Sequence, residues 1–260
     1  MMTMNTRRLC KGLSVFGVLC AAFASTHCAS EPAIKCAVTS GAGGAARYKI
    51  TSVMKTGSCG FDFPFTVNGK DVGENLAIEN YPPVNTDPNR DQEVATVGVR
   101  SVYVGNRLFA TGNIEDYTPT SIALGKFTAV YPDGNDLCHV DTFSLATADI
   151  PATSMDSDGK PIDPPLPPTH IEYQWSNWRT IVKPSSIGGQ SFAHLKYTQD
   201  GCTAEYDVSI LTPEVDCSSD DDCDPKGDPA SGNFGSGITP EANATCNTDV
   251  GLCFSSKDAP

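Results

Sequence analysis

The stretch CTAEYDVSILT, residues 202–212, constrains the fold more than any other. Cys202, Ala204, Tyr206, Val208 and Ile210 alternate with Thr203, Glu205, Asp207 and Ser209. Side chains on a strand alternate between its two faces, so this pattern predicts a strand with one buried and one wet face, Cys202 pointing inward. GQSFAHLKYTQ (189–199) comes before it, and Asp200-Gly201 joins the two. Asp-Gly between alternating runs signals a hairpin, because the tight turn there needs positive φ at both positions.

The same logic extends upstream. ARYKITSVMK (46–55) puts Ala46, Tyr48, Ile50 and Met54 on one face. FDFPFTVN (61–68) groups Phe61, Phe63, Phe65 and Val67, and Pro64 confines it to an edge or bulge. VATVGVRSVYV (94–104) is apolar on both faces and predicts a central strand. SIALGKFTAVY (121–131) and LCHVDTFSLA (137–146) flank PDGND and predict a second hairpin. In THIEYQWSNWRTIVK (169–183) the alternation changes phase after Trp175, which predicts a β-bulge at Ser176-Asn177, with Trp175 and Trp178 on different faces. DSDGKPIDPPLPP (156–168) predicts a stiff exposed connection. Short strands, Gly/Pro turns and no long helical pattern predict an all-β fold: an antiparallel β-sandwich of seven to nine strands over residues 46–213. Residues 214–260 predict an irregular tail with ten acids and two bases, held by disulfides rather than by a core.

The front of the chain speaks to location. Arg7, Arg8 and Lys11 come before GLSVFGVLCAAFA, a short apolar run with a small-residue exit, which is the pattern of a secretory signal over residues 1–27. The run is shorter than the roughly 20 residues a membrane-spanning helix needs. Of eleven cysteines, Cys10 and Cys20 leave with the signal, so nine remain from Cys28 onward. An odd count in an exported chain points to one specially used thiol. Acylation of Cys28 leaves eight: Cys36, Cys59, Cys138, Cys202, Cys217, Cys223, Cys246 and Cys253. Cleavage after Ser30 also leaves eight, whereas cleavage after Ala24 strands one, so parity does not choose between anchoring and soluble secretion. The expected bridges are Cys36–Cys59 and Cys138–Cys202 in the sandwich, then an interleaved Cys217–Cys246 and Cys223–Cys253 in the tail. Residues 28–45 form a linker in this scheme.

ASTHCAS around Cys28 resembles the modification site of bacterial lipoproteins, with His27 departing from the small residues that family places there. The segments GSC (57–59), GKFTAVYPDG and LC (125–138), YQWSN (173–177) and YTQDGCTAEY (197–206), with GSGI (235–238) in the cysteine-rich tail, resemble exported lipoproteins of the myxobacterial type. That resemblance covers most of the exported chain. It implies a lipid on Cys28, outer-membrane sorting favoured by Ala29, a fold and a location, and no activity.

Charge narrows the partners. Removing Arg7, Arg8 and Lys11 leaves 15 basic residues against 31 acidic, a net of −16. This disfavours nucleic acid and anionic lipid surfaces and leaves a protein or glycan as the partner class. No nucleophile elbow, zinc-protease helix motif or phosphate-binding loop is present, so neither an enzyme nor a cofactor is expected. Two pairs, His139 with Asp141 and His170 with Glu172, share a strand face and could orient a general base near Ser176 or Ser191. His194 is the third histidine of the exported body. Asp156, Asp158 and Asp163 resemble the start of a calcium loop, but Gly159 comes fourth rather than sixth and Pro167 stands where a glutamate should close it. Asp220, Asp221, Asp222 and Asp224 are a second acidic group. Tyr173, Trp175 and Trp178 are candidates for a glycan platform. The expectation is a structural or binding module; a His–carboxylate hydrolase and a calcium-dependent adhesion module are its rivals.

Overall fold

The computed structural model describes residues 33–39, 44–54, 66–67, 70–71, 73–83, 93–111, 119–156, 158–184, 186–227, 230 and 235–257. The chain divides into Met1–Ala33 and Ile34–Pro260. The strands of the second unit are β1 (Gly44–Met54), the short pair β2 (Thr66–Val67) and β3 (Lys70–Asp71), β4 (Asn75–Tyr81), β5 (Thr96–Ser101), β6 (Ala123–Lys126), β7 (Leu137–Thr142) and β8 (Ala146–Ile150). After them come β9 (Thr153–Met155), β10 (Pro161–Leu166), β11 (Thr169–Lys183), β12 (Ser186–Gln199), β13 (Cys202–Leu211), β14 (Ala244–Asn247) and β15 (Leu252–Ser255). Among the described residues one α-helix, α1 (Val102–Ala110), interrupts them.

Nine strands form one antiparallel sheet in the order β6-β5-β4-β1-β13-β12-β11-β7, with β8 also paired to β11. The sheet doubles over into two facing layers. A single core holds Val97 and Val99 of β5 together with Trp175 and Trp178 of β11 and Val140 of β7. The ends of the sheet are drawn together by backbone bonds of 2.8 Å, Thr128 N to His139 O and Ser144 N to Leu124 O.

The Asp200-Gly201 hairpin forms as the sequence predicts. Gln199 pairs with Cys202, and the two turn residues take φ of 50° and 81°. The second predicted hairpin is looser than expected. β6 pairs with β5 and β7 with β11, so the segments around PDGND are joined by single bonds such as Asp133 N to Leu137 O (2.9 Å) and Thr128 N to His139 O rather than by a ladder. The predicted strand over 94–104 ends at Ser101. There the Ser101 hydroxyl accepts a hydrogen bond from Val104 N (3.2 Å) and caps α1. A serine at an N-cap stabilises a helix start by about 1 kcal/mol, and that local chemistry overrides the β-branched pattern. The proline-rich connection stays largely exposed yet carries β10, which pairs with β9. Most of FDFPFTVN lies outside the described residues.

The bulge sits where the phase change predicts it. Ser176 pairs with His194 and Arg179 with Phe192, and Asn177 takes a φ of 50°. Its consequence is the reverse of the expectation. Residues three apart lie on opposite faces of a regular strand, and one inserted residue returns the second to the face of the first. Trp175 and Trp178 are therefore both in the core, 1% and 0% exposed, with ring centroids 6.0 Å apart in an edge arrangement.

Cys36 is bonded to Cys138, which corrects the expected Cys36–Cys59 and Cys138–Cys202 pairs. Residues 36–39 run along the seam, which sets Cys36 beside Cys138 of β7. Cys36 N donates to Val130 O (2.8 Å) and Thr39 N donates to Gly188 O (3.2 Å). Cys202 is buried and disulfide-bonded; Cys59 lies outside the described residues. Gly188 has a φ of +70°, and a Cβ there would lie 2.6 Å from Ala37 O and 2.7 Å from Thr39 N. A glycine is needed for this crossing.

In the tail, Cys217 is bonded to Cys246 and Cys223 to Cys253, an interleaved pair of staples. The tail also buries more than its composition suggests. Cys223, Ile238, Ala242 and Cys253 cluster on Leu211, while Leu252 and Phe254 cover Ala45. This small layer covers the outer face of β1 and β13. It is pinned by Gln190 donating to the Ser255 hydroxyl (3.0 Å) and by a Lys183–Glu241 ion pair (2.8 Å).

Candidate functional site

The strand registers give the domain two ends. Lys183, Ser186, Leu211, Leu137 and Lys126 mark one, which also holds the N-terminal crossing and the tail; call it the proximal end. Thr169, Ile150, Gln199 and Cys202 mark the other, the distal end. The distal end carries an open cleft lined by Asp149, Ile150, Pro151, Pro168, Thr169, His170 and Asp200.

His170 on β11 faces Asp149 on β8, its cross-strand partner. Nδ1 lies 2.6 Å from Asp149 and Nε2 lies 3.2 Å from Glu172, the pairing read from the sequence. Asp200, at the neighbouring turn, accepts hydrogen bonds from the Thr169 hydroxyl (2.7 Å) and His170 N (2.8 Å). Hydrogen bonds to Asp149 and then Glu172 raise the His170 pKa above its ordinary value of 6.5. A protonated imidazole held by two carboxylates is what this geometry favours.

That geometry does not suit general-base catalysis, which needs one ring nitrogen directed at a nucleophile or water. Both nitrogens of His170 face carboxylates. Those of His194 do too, with Glu205 at 3.7 Å and Asp207 at 3.5 Å. His139 turns to Asp133 (3.0 Å) rather than to Asp141, which corrects the predicted pair. Asp133 also accepts from Asn135 N and Leu137 N, and these bonds, His139 first, lower its pKa. Ser176, His194 and Asp207 form a row across β11, β12 and β13. No hydrogen bond joins Ser176 to His194 among the described residues. Ser191 is buried against Thr180 (2.8 Å), whose hydroxyl accepts from Trp178 Nε1 (2.7 Å).

The acidic candidates have structural partners. Asp156 Oδ1 accepts from Asp158 N (2.9 Å) and Lys160 N (2.8 Å), and Lys160 lies 3.7 Å from Asp158. Asp163 stands exposed on β10. In the tail, Asp222 accepts from Ser218 N, the Ser218 hydroxyl and Ser219 N, and its pKa is lowered by those bonds. Asp220 accepts from Cys246 N (2.8 Å). These oxygens hold turns together. Tyr173, Trp175 and Trp178 are buried in the core, so they form no exposed glycan platform.

The sequence reading missed an interior polar group. The buried Glu74 carboxylate accepts from the Ser101 hydroxyl (2.7 Å), and the buried Arg107 donates to the Tyr103 hydroxyl (3.3 Å) and to Pro167 O (3.2 Å). These bonds seat α1 and the distal loop. Only the Ser101 cap leaves a signature in the sequence.

Cys28 lies outside the described residues. No helix among the described residues is long and apolar enough to cross a membrane. A Myxococcus xanthus protein named as a candidate lipoprotein, MlpA, is 23% identical over 205 residues, covering 76% of this chain and 79% of that protein. No solved structure matches the chain. The MlpA family model matches residues 44–213, from the first residue of β1 to just past β13. The chain therefore belongs to the MlpA family.

Proposed function

We propose that this protein is an exported, non-catalytic lipoprotein. Acylated Cys28 anchors it, on the outer membrane facing the periplasm or the cell surface, and the β domain serves a structural or binding role. Membership of a lipoprotein family carries the reading. The signal-like front end and the cysteine at its exit support it. The doubly engaged His170 and His194 favour a role without chemistry. The cleft beside His170 is the surface best suited to a polar partner. One buried acyl CH₂ contributes about 0.8 kcal/mol, so several chains hold the protein firmly. Cys28→Ser should move the protein from the membrane fraction to the soluble exported fraction. Continued sedimentation of Cys28→Ser with membranes would contradict the anchor.

A further inference from the structure

We propose that the proximal end of the β domain rests on the bilayer that holds the anchor, with Ile187 and Tyr131 as its lipid-contacting side chains. The inference rests on Cys28 acylation.

Three observations carry it. First, the chain leaves the fold at a fixed point. The Cys36–Cys138 bridge and the bond from Cys36 N to Val130 O fasten Cys36 to the seam. Thr39 donates to Gly188 O through its amide and to Ile187 O through its hydroxyl (2.8 Å).

Second, the tether is short. Cys36 lies eight residue steps after Cys28. At no more than about 3.6 Å per residue, they span at most about 29 Å. The 15 residues of β11 extend along the domain for about 50 Å. The proximal end is thus the part of the domain held within reach of the anchored lipid.

Third, exposed apolar side chains flank that exit point. Ile187, 51% exposed, is the residue whose carbonyl receives Thr39. Tyr131, 41% exposed, follows Val130, whose carbonyl receives Cys36. An aliphatic and a tyrosine side chain beside a lipid tether fit a bilayer interface, where an apolar body can enter and a hydroxyl can stay wet. The acidic chain, with Asp133 and Asp136 at the same end, favours a neutral bilayer over an anionic one. The His170 cleft and the exposed Met155 of β9 then face away from the membrane.

The protein supplies its own optical background. It has two tryptophans, Trp175 and Trp178, and both are buried. A tryptophan introduced at the surface is therefore the only one that lipid could touch. The full acylated protein, carrying Ile187→Trp, Tyr131→Trp or Met155→Trp, is reconstituted on phosphatidylcholine vesicles with brominated acyl chains. Ile187→Trp and Tyr131→Trp should each lose at least twice the fluorescence lost by the unsubstituted protein, and Met155→Trp should lose no more than it. If the protein floats with the vesicles but both proximal variants are quenched no more than Met155→Trp, the docking face is overturned and the anchor stands. Protein that fails to float overturns the anchor and the docking face together.

Discussion

Cys36 is bonded to Cys138 with their Cα atoms 5.6 Å apart, which ties the segment before β1 to β7 across 102 residues of chain. Closing a loop of that size stabilises the folded state by about 4–5 kcal/mol in the chain-entropy model. The bond also fixes where the N-terminal tether leaves the domain. Peptide mapping without reduction should recover Cys36 linked to Cys138. A Cys36–Cys59 peptide would contradict the seam crossing. Replacing both Cys36 and Cys138 by alanine should lower stability by roughly 2–5 kcal/mol in denaturant unfolding.

The bulge at Asn177 places Trp178 in the core, and its indole N–H continues into the Thr180–Ser191 hydroxyl pair. Trp178→Ala removes a fully buried aromatic and leaves that pair without its donor. The expected loss is about 3–5 kcal/mol. Urea titration followed by circular dichroism measures it, and a loss below 1 kcal/mol would place Trp178 outside the core.

His170 should titrate above 6.5, the direction its two carboxylates impose. Its folded pKa exceeds its unfolded one. The stability it contributes is thus complete below the unfolded value and fades as pH rises through the folded value. NMR of the imidazole resonances should show the raised midpoint in the folded protein and a lower one in Asp149→Asn. An unchanged midpoint in Asp149→Asn would show that Asp149 does not hold the ring.

The tail is held by two bridges, a small apolar layer and the Lys183–Glu241 pair. Glu241 is pulled down to about 2, first by Lys183 and then by Thr239. Its stabilising effect is present above its ordinary value of 4.5 and is lost as pH falls toward about 2. Reduction should make trypsin cut after the exposed Lys226 well before the sheet is cleaved. Equal rates of cleavage at Lys226 with and without reductant would show that the bridges do not hold the tail.

Period-two alternation and turn chemistry made the sheet legible. The β12–β13 hairpin, the bulge position and the all-β class follow from local pattern because each is set by residues close in sequence. What failed depended on distance. Cys36 pairs with Cys138 because of where a seam closes, and nothing near either cysteine encodes that. The α1 start was hidden because Val102 and Val104 read as strand, while the deciding bond is the Ser101 cap. The bulge shows in the sequence, but the faces of Trp175 and Trp178 do not follow from a count of three, because the inserted residue restores their shared face. At the candidate site, His170 with Glu172 was readable as a two-residue spacing. Asp149 and Asp200, which arrive from β8 and the β12–β13 turn, were not. Glu74 and Arg107 carried no signal, since a buried charge becomes recognisable only when its partners from other strands are in place.

Intact mass spectrometry of the protein extracted from membranes reads the acylation of Cys28 without intermediaries. The expected species begins at Cys28 and carries several acyl chains, with no cysteine open to alkylation before reduction. A mature chain that begins after Ala24 or after Ser30 and carries no acyl mass would contradict it.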